Sequence, residues 1–311
     1  MSAGLLLAGL VLLVVGAEGV VRGGSDLASR LGVPPLVVGL TVVSLGTSLP
    51  ELAIGLSAVR DGAGELAVGN IVGTNLVNTL LVLGLAALLA PIRFEARTLR
   101  HDLPAGALAA VLLFVLARDG ALSAADGLWL TAFGAVYLAS ILLSTRGARA
   151  AAPKSHRDVR APVTVVVLLA GLAAIVLGAE LLVDGAVDIA QRLGVSDAVI
   201  GLTVVAVGTS APELVTAVVS AVRGERALAI GNLMGSNVFN VALVLGPTVL
   251  AAPTAVPVPD DVLAGDLLLM VGATLACVPV FWTRRGLSRI EGALFVGAYL
   301  VYLATLLATR A

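Results

Sequence analysis

Apolar runs of about 20 residues recur along the whole chain, and this feature restricts the fold more than any other. Each run is long enough to cross a hydrocarbon core of ~30 Å as a helix. A transmembrane barrel is disfavoured, because its strands would appear as alternating segments of roughly ten residues. Composition agrees, since 59% of the 311 residues are hydrophobic, 13% are charged and the mean hydropathy is +1.07. The sequence therefore predicts an all-α membrane protein.

Charged and Pro/Gly-rich breaks divide the apolar runs into ten predicted spans. They lie at 3–21, 35–59, 66–90, 103–118, 126–144, 162–183, 197–222, 227–251, 262–282 and 290–309. A basic segment, 146–161, separates a first half (1–145) from a second half (162–311), each with five spans. The first run lacks a basic leader and a small-residue cleavage site, so we interpret it as a span rather than a signal peptide.

Lys and Arg are distributed unevenly among the predicted loops. If the N-terminus lies outside, 15 of the 19 basic residues fall in inside loops and four fall in outside loops. Cytoplasmic loops are enriched in Lys and Arg. This count predicts a multi-pass protein of the cytoplasmic membrane with both termini on the extracellular side.

The chain contains an internal repeat. Residues 39–91 and 201–253 align without gaps at an offset of 162, and 26 of the 53 aligned positions are identical. Because this offset spans five predicted helices, an odd number, the second copy crosses the membrane in the opposite sense. Inverted repeats are typical of secondary transporters, whose binding sites lie near the midplane between the copies. The predicted architecture is therefore ten transmembrane helices arranged as two inverted five-helix repeats.

A Gly-Thr-Ser-x-Pro-Glu motif interrupts one apolar span in each copy. Pro50 and Pro212 each remove a backbone N–H and push a carbonyl out of the helical ladder. We expect nearby carbonyls, including those of Ser44 and Ala206, to turn toward the interior of the bundle. Irregular backbone at this depth is tolerated where it is buried or lines a wet cavity. A simple proline kink with a hydroxyl bonded back to the backbone is the ordinary alternative.

The two motifs end in glutamates placed deep in apolar spans. Glu51 and Glu213 each lie far from both span ends, with no Lys or Arg at matching depth in the same span. An acid at this depth costs at least a few kcal/mol and usually marks an ion or proton path. Either a bound cation or a proton could neutralise each carboxylate. The pair therefore predicts a cation-binding centre at the midplane.

Neutral oxygen ligands accompany the acids at matching positions. An asparagine, Asn78 or Asn240, follows each glutamate by 27 residues, and hydroxyls stand within each motif at Thr47, Ser48, Thr209 and Ser210. Sets of six to eight such oxygens suit Ca²⁺ and smaller sets suit Na⁺, whereas nothing in the set selects zinc or copper. Two negative charges match one divalent ion or two monovalent ions. Competition for the same carboxylates is a simple physical basis for antiport.

These stretches resemble the α-1 and α-2 repeats of the cation/calcium exchanger superfamily, and in particular the prokaryotic sodium/calcium exchangers. The resemblance rests on GTSLPE and GTSAPE, each followed by an Asn 27 residues after its Glu. It implies that the first and sixth helices slide as a gate against the core helices. It also implies cation ligands at Glu51, Glu213, Asn78, Asn240, Thr47, Ser48, Thr209 and Ser210, with backbone ligands at Ser44 and Ala206.

Two departures refine what the resemblance implies. Potassium-dependent members carry an acid at the position of Asn240, so this chain is expected to be potassium-independent and has one acid fewer for Na⁺. The linker 146–161 is too short for a regulatory calcium-sensing domain. We expect no cofactor beyond the transported Ca²⁺ and Na⁺, no nucleic-acid partner and no obligatory protein partner.

The sequence therefore predicts Na⁺/Ca²⁺ antiport by alternating access, and it predicts no enzymatic activity. An H⁺/Ca²⁺ antiporter would use the same two carboxylates and stays open. A cation channel is a more remote alternative, because channels usually build rings of acids from several subunits. An intramembrane hydrolase based on Ser48 or Ser210 would need a base, and neither histidine lies within a predicted span.

Three further acids stand near the ends of the first and sixth spans. Glu18, Glu180 and Asp184 have two interpretations: ordinary helix-end residues that reach toward water, or residues at the mouth of the ion path.

Overall fold

The computed structural model describes residues 2–145, 161–194 and 206–310. Within these ranges nine helices are long and apolar enough to cross a membrane, and a tenth helix is shorter. The long helices are α1 (Ser2–Leu31), α2 (Pro35–Arg60), α3 (Gly64–Leu89), α4 (Thr98–Asp119), α5 (Ala124–Thr145), α6 (Ala161–Arg192), α8 (Arg226–Ala251), α9 (Val262–Thr283) and α10 (Arg289–Arg310), and the shorter one is α7 (Ala211–Val222).

The helices bear out the membrane prediction for nine of the ten spans. Residues 146–160, which are nearly all of the linker, lie outside the described residues. So do residues 195–205, which include the start of the predicted seventh span and of the second copy of the repeat. The full ten-span count therefore stays a prediction.

The first and sixth helices are longer than predicted. The sequence places their ends at residues 21 and 183, whereas α1 continues to Leu31 and α6 to Arg192. The prediction was wrong because it ended each span just before a second charged residue, Arg22 in α1 and Asp184 in α6. Charged side chains at helix positions i and i+4 support one another, as Glu18 and Arg22 do here, so the helix continues beyond the apolar run.

Helices α1 and α6 pack along their lengths through glycine, and they run antiparallel. A Cβ placed on Gly16 would lie 2.8 Å from the Gly171 carbonyl oxygen, and one placed on Gly178 would lie 2.7 Å from the Leu13 amide. The contact partner in α6 moves forward from Gly171 to Gly178 as the position in α1 moves back from Gly16 to Leu13, so the two helices run in opposite directions. Small residues at such crossings allow the close backbone approach that stabilises membrane helix pairs.

Helices α3 and α8 form the most buried part of the bundle, whereas α5 and α10 are the most exposed. Both buried helices contain a wide π-helical stretch, Val77–Val82 in α3 and Asn240–Leu245 in α8. These stretches begin at or next to the two asparagines that the sequence places in the cation site. Single π turns within α-helices are frequent at functional sites.

Four short strands join the two halves of the chain at the loops. Strand β1 (Ile92–Arg93) pairs antiparallel with β4 (Gly286–Leu287), and β2 (Ala121–Leu122) pairs antiparallel with β3 (Val256–Pro257). Each pair connects a loop of the first half with a loop of the second. The two strand pairs therefore connect helix ends of the first half with helix ends of the second half.

Candidate cation-binding site

The repeated motif breaks its helix at the same residue in both copies. Ser48 has φ −86° and ψ 4°, and Ser210 has φ −87° and ψ 4°, so each serine leaves the helical conformation. The chain then restarts as a helix with proline near its beginning, where the missing N–H costs no hydrogen bond. The restart places Glu51 and Glu213 in the first turn of the new helical segments.

The carbonyl of Ser44 behaves differently from the sequence-based expectation. It still accepts the Ser48 amide at 3.1 Å and lies 3.4 Å from the Thr47 hydroxyl, so it remains within the helical pattern. Coordination of a cation by this oxygen would use its second lone pair. In the second copy, Ala206 begins the short helical turn Ala206–Thr209 that precedes Ser210.

Both glutamates are fully buried and lack partners. Each side chain is 0% exposed, and none of the four carboxylate oxygens has a hydrogen-bond partner. In the described part of the chain, no ion pair involves either residue. The Glu213 carboxylate lies within electrostatic range of Glu51, with the hydroxyls of Thr47 and Ser236 beside it. The two copies of the motif thus bring their acids to one site.

The two asparagines that the sequence assigns to this site differ in their hydrogen bonds. Asn78 and Asn240 are both fully buried. The Asn240 Nδ2 donates to the Asn75 Oδ1 at 3.2 Å, which leaves the Asn240 Oδ1 without a partner and free to accept a ligand. Neither the nitrogen nor the oxygen of the Asn78 amide has a partner. Of these two amides, Asn240 therefore has its orientation set by a neighbouring side chain and Asn78 does not.

The motif hydroxyls divide into free and engaged groups. Ser48 and Ser210 are buried and their oxygens have no partner. Thr47 donates to the Asn232 Oδ1 at 3.2 Å, whereas Thr209 is slightly more exposed. Two free hydroxyls, two amide oxygens and two carboxylates provide oxygen ligands without any soft donor. Among the described residues, no group of three or more His, Cys, Asp or Glu forms a metal site.

The side chain of Ser44 has a structural role. Its hydroxyl donates to the Gly39 carbonyl oxygen at 2.7 Å and lies 2.9 Å from the Asn232 carbonyl oxygen. These contacts join α2 to α8 next to the site. They are consistent with the expectation that any ligand atom of Ser44 is its backbone oxygen.

Comparison with known proteins identifies the group to which this chain is related. A family model described as sodium/calcium exchanger protein matches residues 1–144 and 163–308. The chain belongs to this family. The match covers both halves and stops on either side of the basic linker.

Individual relatives in the sodium/calcium exchanger family align over nearly the full length. The sodium/calcium exchanger MaX1 of Methanosarcina acetivorans is 33% identical, with 97% of each chain covered. The inner membrane protein YrbG of Escherichia coli is 36% identical, with 98% of this chain and 97% of the relative covered. The solved structure of the sodium-calcium exchanger NCX_Mj superposes with a TM-score of 0.85 at 31% identity, covering 97% of this chain and 98% of the other.

Two buried hydroxyl groups are absent from the set of ligands that the sequence predicts. Thr74 and Ser236 occupy the same position in the two copies, are buried and have no hydrogen-bond partner. Ser236 also lies beside the Glu213 carboxylate. The sequence does indicate this pair, since GTN and GSN align in the repeat and place a hydroxyl residue at the same position of each copy.

A buried acid was also missed. The predicted fourth span begins at residue 103 and so leaves Asp102 outside it. Helix α4 instead begins at Thr98, and Asp102 is only 1% exposed. Its Oδ1 accepts a hydrogen bond from the Tyr137 hydroxyl at 3.1 Å. The π-helical turn Thr98–Asp102 carries this acid into the bundle, and an apolar-run count does not detect such a turn.

The acids near the ends of the predicted first and sixth spans differ from one another. Glu18 forms ion pairs with Arg22 and Arg223, the latter at 2.7 Å. These pairs favour an ordinary charged residue that reaches toward water, but Glu18 is not a helix-end residue, because α1 continues to Leu31. Glu180 and Asp184 are exposed on α6.

Proposed function

We propose that this member of the family exchanges Na⁺ for Ca²⁺ across the cytoplasmic membrane by alternating access. The observation that supports this most is the pair Glu51 and Glu213, fully buried, within electrostatic range of each other and without hydrogen-bond partners. Two unpaired buried carboxylates are unfavourable unless a cation or protons neutralise them. A transported cation provides that neutralisation and explains why no fixed counter-ion is built into the site.

Charge balance determines which ions suit the site. One Ca²⁺ or two Na⁺ would neutralise the two carboxylates, so each binding state excludes the other. The oxygen ligands assigned to this site are Glu51, Glu213, Asn78, Asn240, Thr47, Ser48, Thr209 and Ser210, with the backbone oxygens of Ser44 and Ala206. This set contains only hard oxygen donors, as Ca²⁺ prefers. Because Asn240 adds no charge, we expect exchange without K⁺.

The remaining architecture follows from the repeat. The chain has ten spans as two inverted five-helix repeats, with both termini extracellular. The antiparallel packing of α1 against α6 supports the inversion, because these helices occupy equivalent positions in the two copies. The pair α1 and α6 slides as a gate past the core of α2, α3, α7 and α8, exposing the site first to one face and then to the other.

Flux measurements on purified protein test this proposal. In proteoliposomes, Glu51→Gln and Glu213→Gln should each abolish ⁴⁵Ca²⁺ uptake driven by a Na⁺ gradient. Glu65→Gln is the matched control, since Glu65 stands at the first turn of α3 and makes no part of the site. Undiminished flux in either motif variant would refute the assignment, whereas loss of flux in the control would indicate a general defect.

H⁺/Ca²⁺ exchange is the second candidate. It is favoured by the same unpaired carboxylate oxygens, since two protons would satisfy them as well as two Na⁺. Uptake of ⁴⁵Ca²⁺ should be compared under a Na⁺ gradient at equal pH and under a pH gradient without Na⁺. Uptake under the Na⁺ gradient alone supports sodium coupling, and uptake under the pH gradient alone replaces it with proton coupling.

A further inference from the structure

A row of polar residues follows one face of α7 away from Glu213. Thr216, Ser220 and Arg223 stand three, seven and ten residues after this glutamate. Helix positions three or four residues apart lie above one another on the same face, so the four side chains form one row, which we call the α7 row. At about 1.5 Å per residue it is roughly 15 Å long, which is half of a hydrocarbon core of ~30 Å. With the N-terminus outside, the seventh span ends at the cytoplasmic face, so the row extends from the central site to that face.

The two hydroxyl groups of the α7 row have no partner. Thr216 and Ser220 are both 0% exposed, and among the described residues neither oxygen takes part in a hydrogen bond. Buried hydroxyls in helices commonly donate to the carbonyl oxygen four residues earlier, as Thr41, Thr131 and Thr248 do in this chain. Thr216 and Ser220 make no such bond. Their hydroxyls are therefore free to bind a water molecule or a cation that enters beside α7.

The α7 row belongs to one copy of the repeat. In the first copy, the two middle positions are apolar and the last is acidic: Ile54, Ala58 and Asp61. Packing of the repeat does not require a hydroxyl at these positions, because Ala58 is buried in the first copy without one. The polar row is therefore a property of the half of the protein that leads to the predicted cytoplasmic face.

The far end of the α7 row is held by α1. Arg223 makes a two-pronged ion pair with Glu18, in which Nε donates to Oε2 at 2.8 Å and a terminal guanidinium nitrogen lies 2.7 Å from Oε1. Just beyond α7, the Ser25 hydroxyl of α1 donates to the Glu225 Oε1 at 2.9 Å. Neither hydroxyl oxygen of the row reaches solvent in this conformation. The row is thus closed, and a guanidinium lies at the end where the row would meet water.

We propose that the α7 row is the cytoplasmic half of the ion path, in which Thr216 and Ser220 bind the passing cation and the Glu18–Arg223 pair closes the end. This inference rests on the proposed exchange function, in which α1 and α6 slide past the core. Sliding of α1 separates Glu18 from Arg223, and water then reaches the two hydroxyls. Each hydroxyl supplies one oxygen to a cation that keeps most of its water shell, so the row adds no ligand to the central site.

Cysteine modification in membrane vesicles tests the proposal without measuring transport. The parent is Cys277→Ala, since Cys277 is the single cysteine of the chain. In this parent, a positively charged, membrane-impermeant methanethiosulfonate should modify Ser220→Cys and Thr216→Cys from the cytoplasmic face only. Ala87→Cys is the matched control, because Ala87 is also 0% exposed and lies near the predicted cytoplasmic end of α3, but packs against Gly292 of α10. The control should stay unmodified from either face.

Breaking the ion pair between α1 and the end of α7 should speed this modification. Arg223→Gln and Glu18→Gln should each raise the rate for Ser220→Cys by roughly two- to fivefold, the range expected for one exposed ion pair. Arg22→Gln is the matched control, because Arg22 also pairs with Glu18 but lies on the same helix and so does not join α1 to α7. It should leave the rate unchanged. Equal acceleration by all three substitutions would remove the closing role of the Glu18–Arg223 pair.

A second measurement keeps Cys277 and uses the otherwise wild-type chain. Ser220→Ala and Thr216→Val should lower the maximal ⁴⁵Ca²⁺ flux several-fold and leave the affinity of equilibrium ⁴⁵Ca²⁺ binding unchanged. Unchanged flux, or a parallel loss of binding, would overturn the proposal, as would modification of Ala87→Cys as fast as Ser220→Cys. If the parent exchanges Na⁺ for Ca²⁺ but both row cysteines stay unmodified, the path alone is refuted. If the row is modified in a chain without Na⁺/Ca²⁺ exchange, the proposed function is refuted instead.

Discussion

The two copies of the repeat share their backbone but differ in how they hold their polar side chains. The break at Ser48 and the break at Ser210 have almost the same dihedral angles, and both following glutamates are fully buried. The asparagines do not match, since Asn240 is held by Asn75 while Asn78 has no partner. Charge and backbone are thus shared by the copies, while amide orientation is specific to each.

One side chain accounts for much of this difference. Thr79 of the first copy accepts a hydrogen bond from the Asn237 amide of the second copy. Val241, which is equivalent to Thr79, has no such acceptor, and the Asn75 side chain binds Asn240 instead. A single hydroxyl therefore gives the Asn237 amide a hydrogen-bond partner that the equivalent Asn75 lacks. Repeats constrain the position of a side chain more strongly than they constrain its hydrogen bonds.

Helices α1 and α6 differ in their charged residues in the same way. Glu18 is paired with Arg22 and Arg223, whereas the positions equivalent to these arginines carry Asp184 and Asp61. Glu180, which is equivalent to Glu18, therefore has acids where Glu18 has bases. The first-copy position is neutralised, and the second-copy position concentrates negative charge.

The largest effect is expected at the contact of α1 with α6. Gly16→Leu and Gly171→Leu should each prevent stable folding, because a Cβ at either position lies 2.8 Å from backbone atoms of the other helix. Overpacking typically costs about 1–3 kcal/mol, and rigid backbone atoms cannot move aside as side chains do. Gly4→Leu is the control, since no atom lies within 4 Å of its Cβ position.

The yield of monodisperse protein in size-exclusion chromatography and its Tm measure this effect. If Gly16→Leu folds normally while Gly171→Leu does not, the two sides of this contact are not packed equally tightly. Normal folding of both variants would show that the helices are not as close as described.

An intermediate effect should distinguish the two supporting asparagines. Asn75→Ala removes the group that orients Asn240 and should lower the apparent Ca²⁺ affinity of exchange about tenfold, as expected for a lost buried hydrogen bond. Asn237→Ala, the equivalent change in the other copy, should have a smaller effect, because Asn78 makes no bond to it. The Ca²⁺ concentration for half-maximal flux at fixed Na⁺ measures both. Equal losses would mean that the two amides are supported alike during transport.

The smallest effect concerns the charged residues of α1 and α6. Arg223→Gln should lower Tm by no more than about 2 °C, because exposed ion pairs contribute roughly 0–1 kcal/mol. Glu180→Gln should leave Tm unchanged or raise it slightly, since it removes one of several neighbouring acids. High salt should diminish the Arg223→Gln effect. A large loss of stability that persists in high salt would assign the Glu18 pair a structural role beyond surface electrostatics.

Much of the fold was predictable, since apolar runs and the offset of 162 are properties of the sequence alone. The burial of Glu51 and Glu213 followed from their depth in apolar spans. The ends of α1 and α6 were not predictable from hydropathy, because paired charges extend a helix beyond its apolar part.

Side-chain details required the structure for a different reason. Three asparagines recur in each copy, and the sequence does not say which one donates to which. That choice depends on packing between α3 and α8, which brings Asn75 to Asn240 and Asn237 to Thr79. The depth of Asp102 likewise depends on a π-helical turn at the start of α4.

Equilibrium binding of ⁴⁵Ca²⁺ to purified protein tests the central claim most directly, namely that Glu51 and Glu213 form one site from two copies. The wild-type chain should bind one Ca²⁺ per molecule, displaced by Na⁺, and either Glu51→Gln or Glu213→Gln alone should abolish this binding. Two Ca²⁺ per wild-type molecule, with each substitution removing only one, would instead show two independent sites and contradict the account.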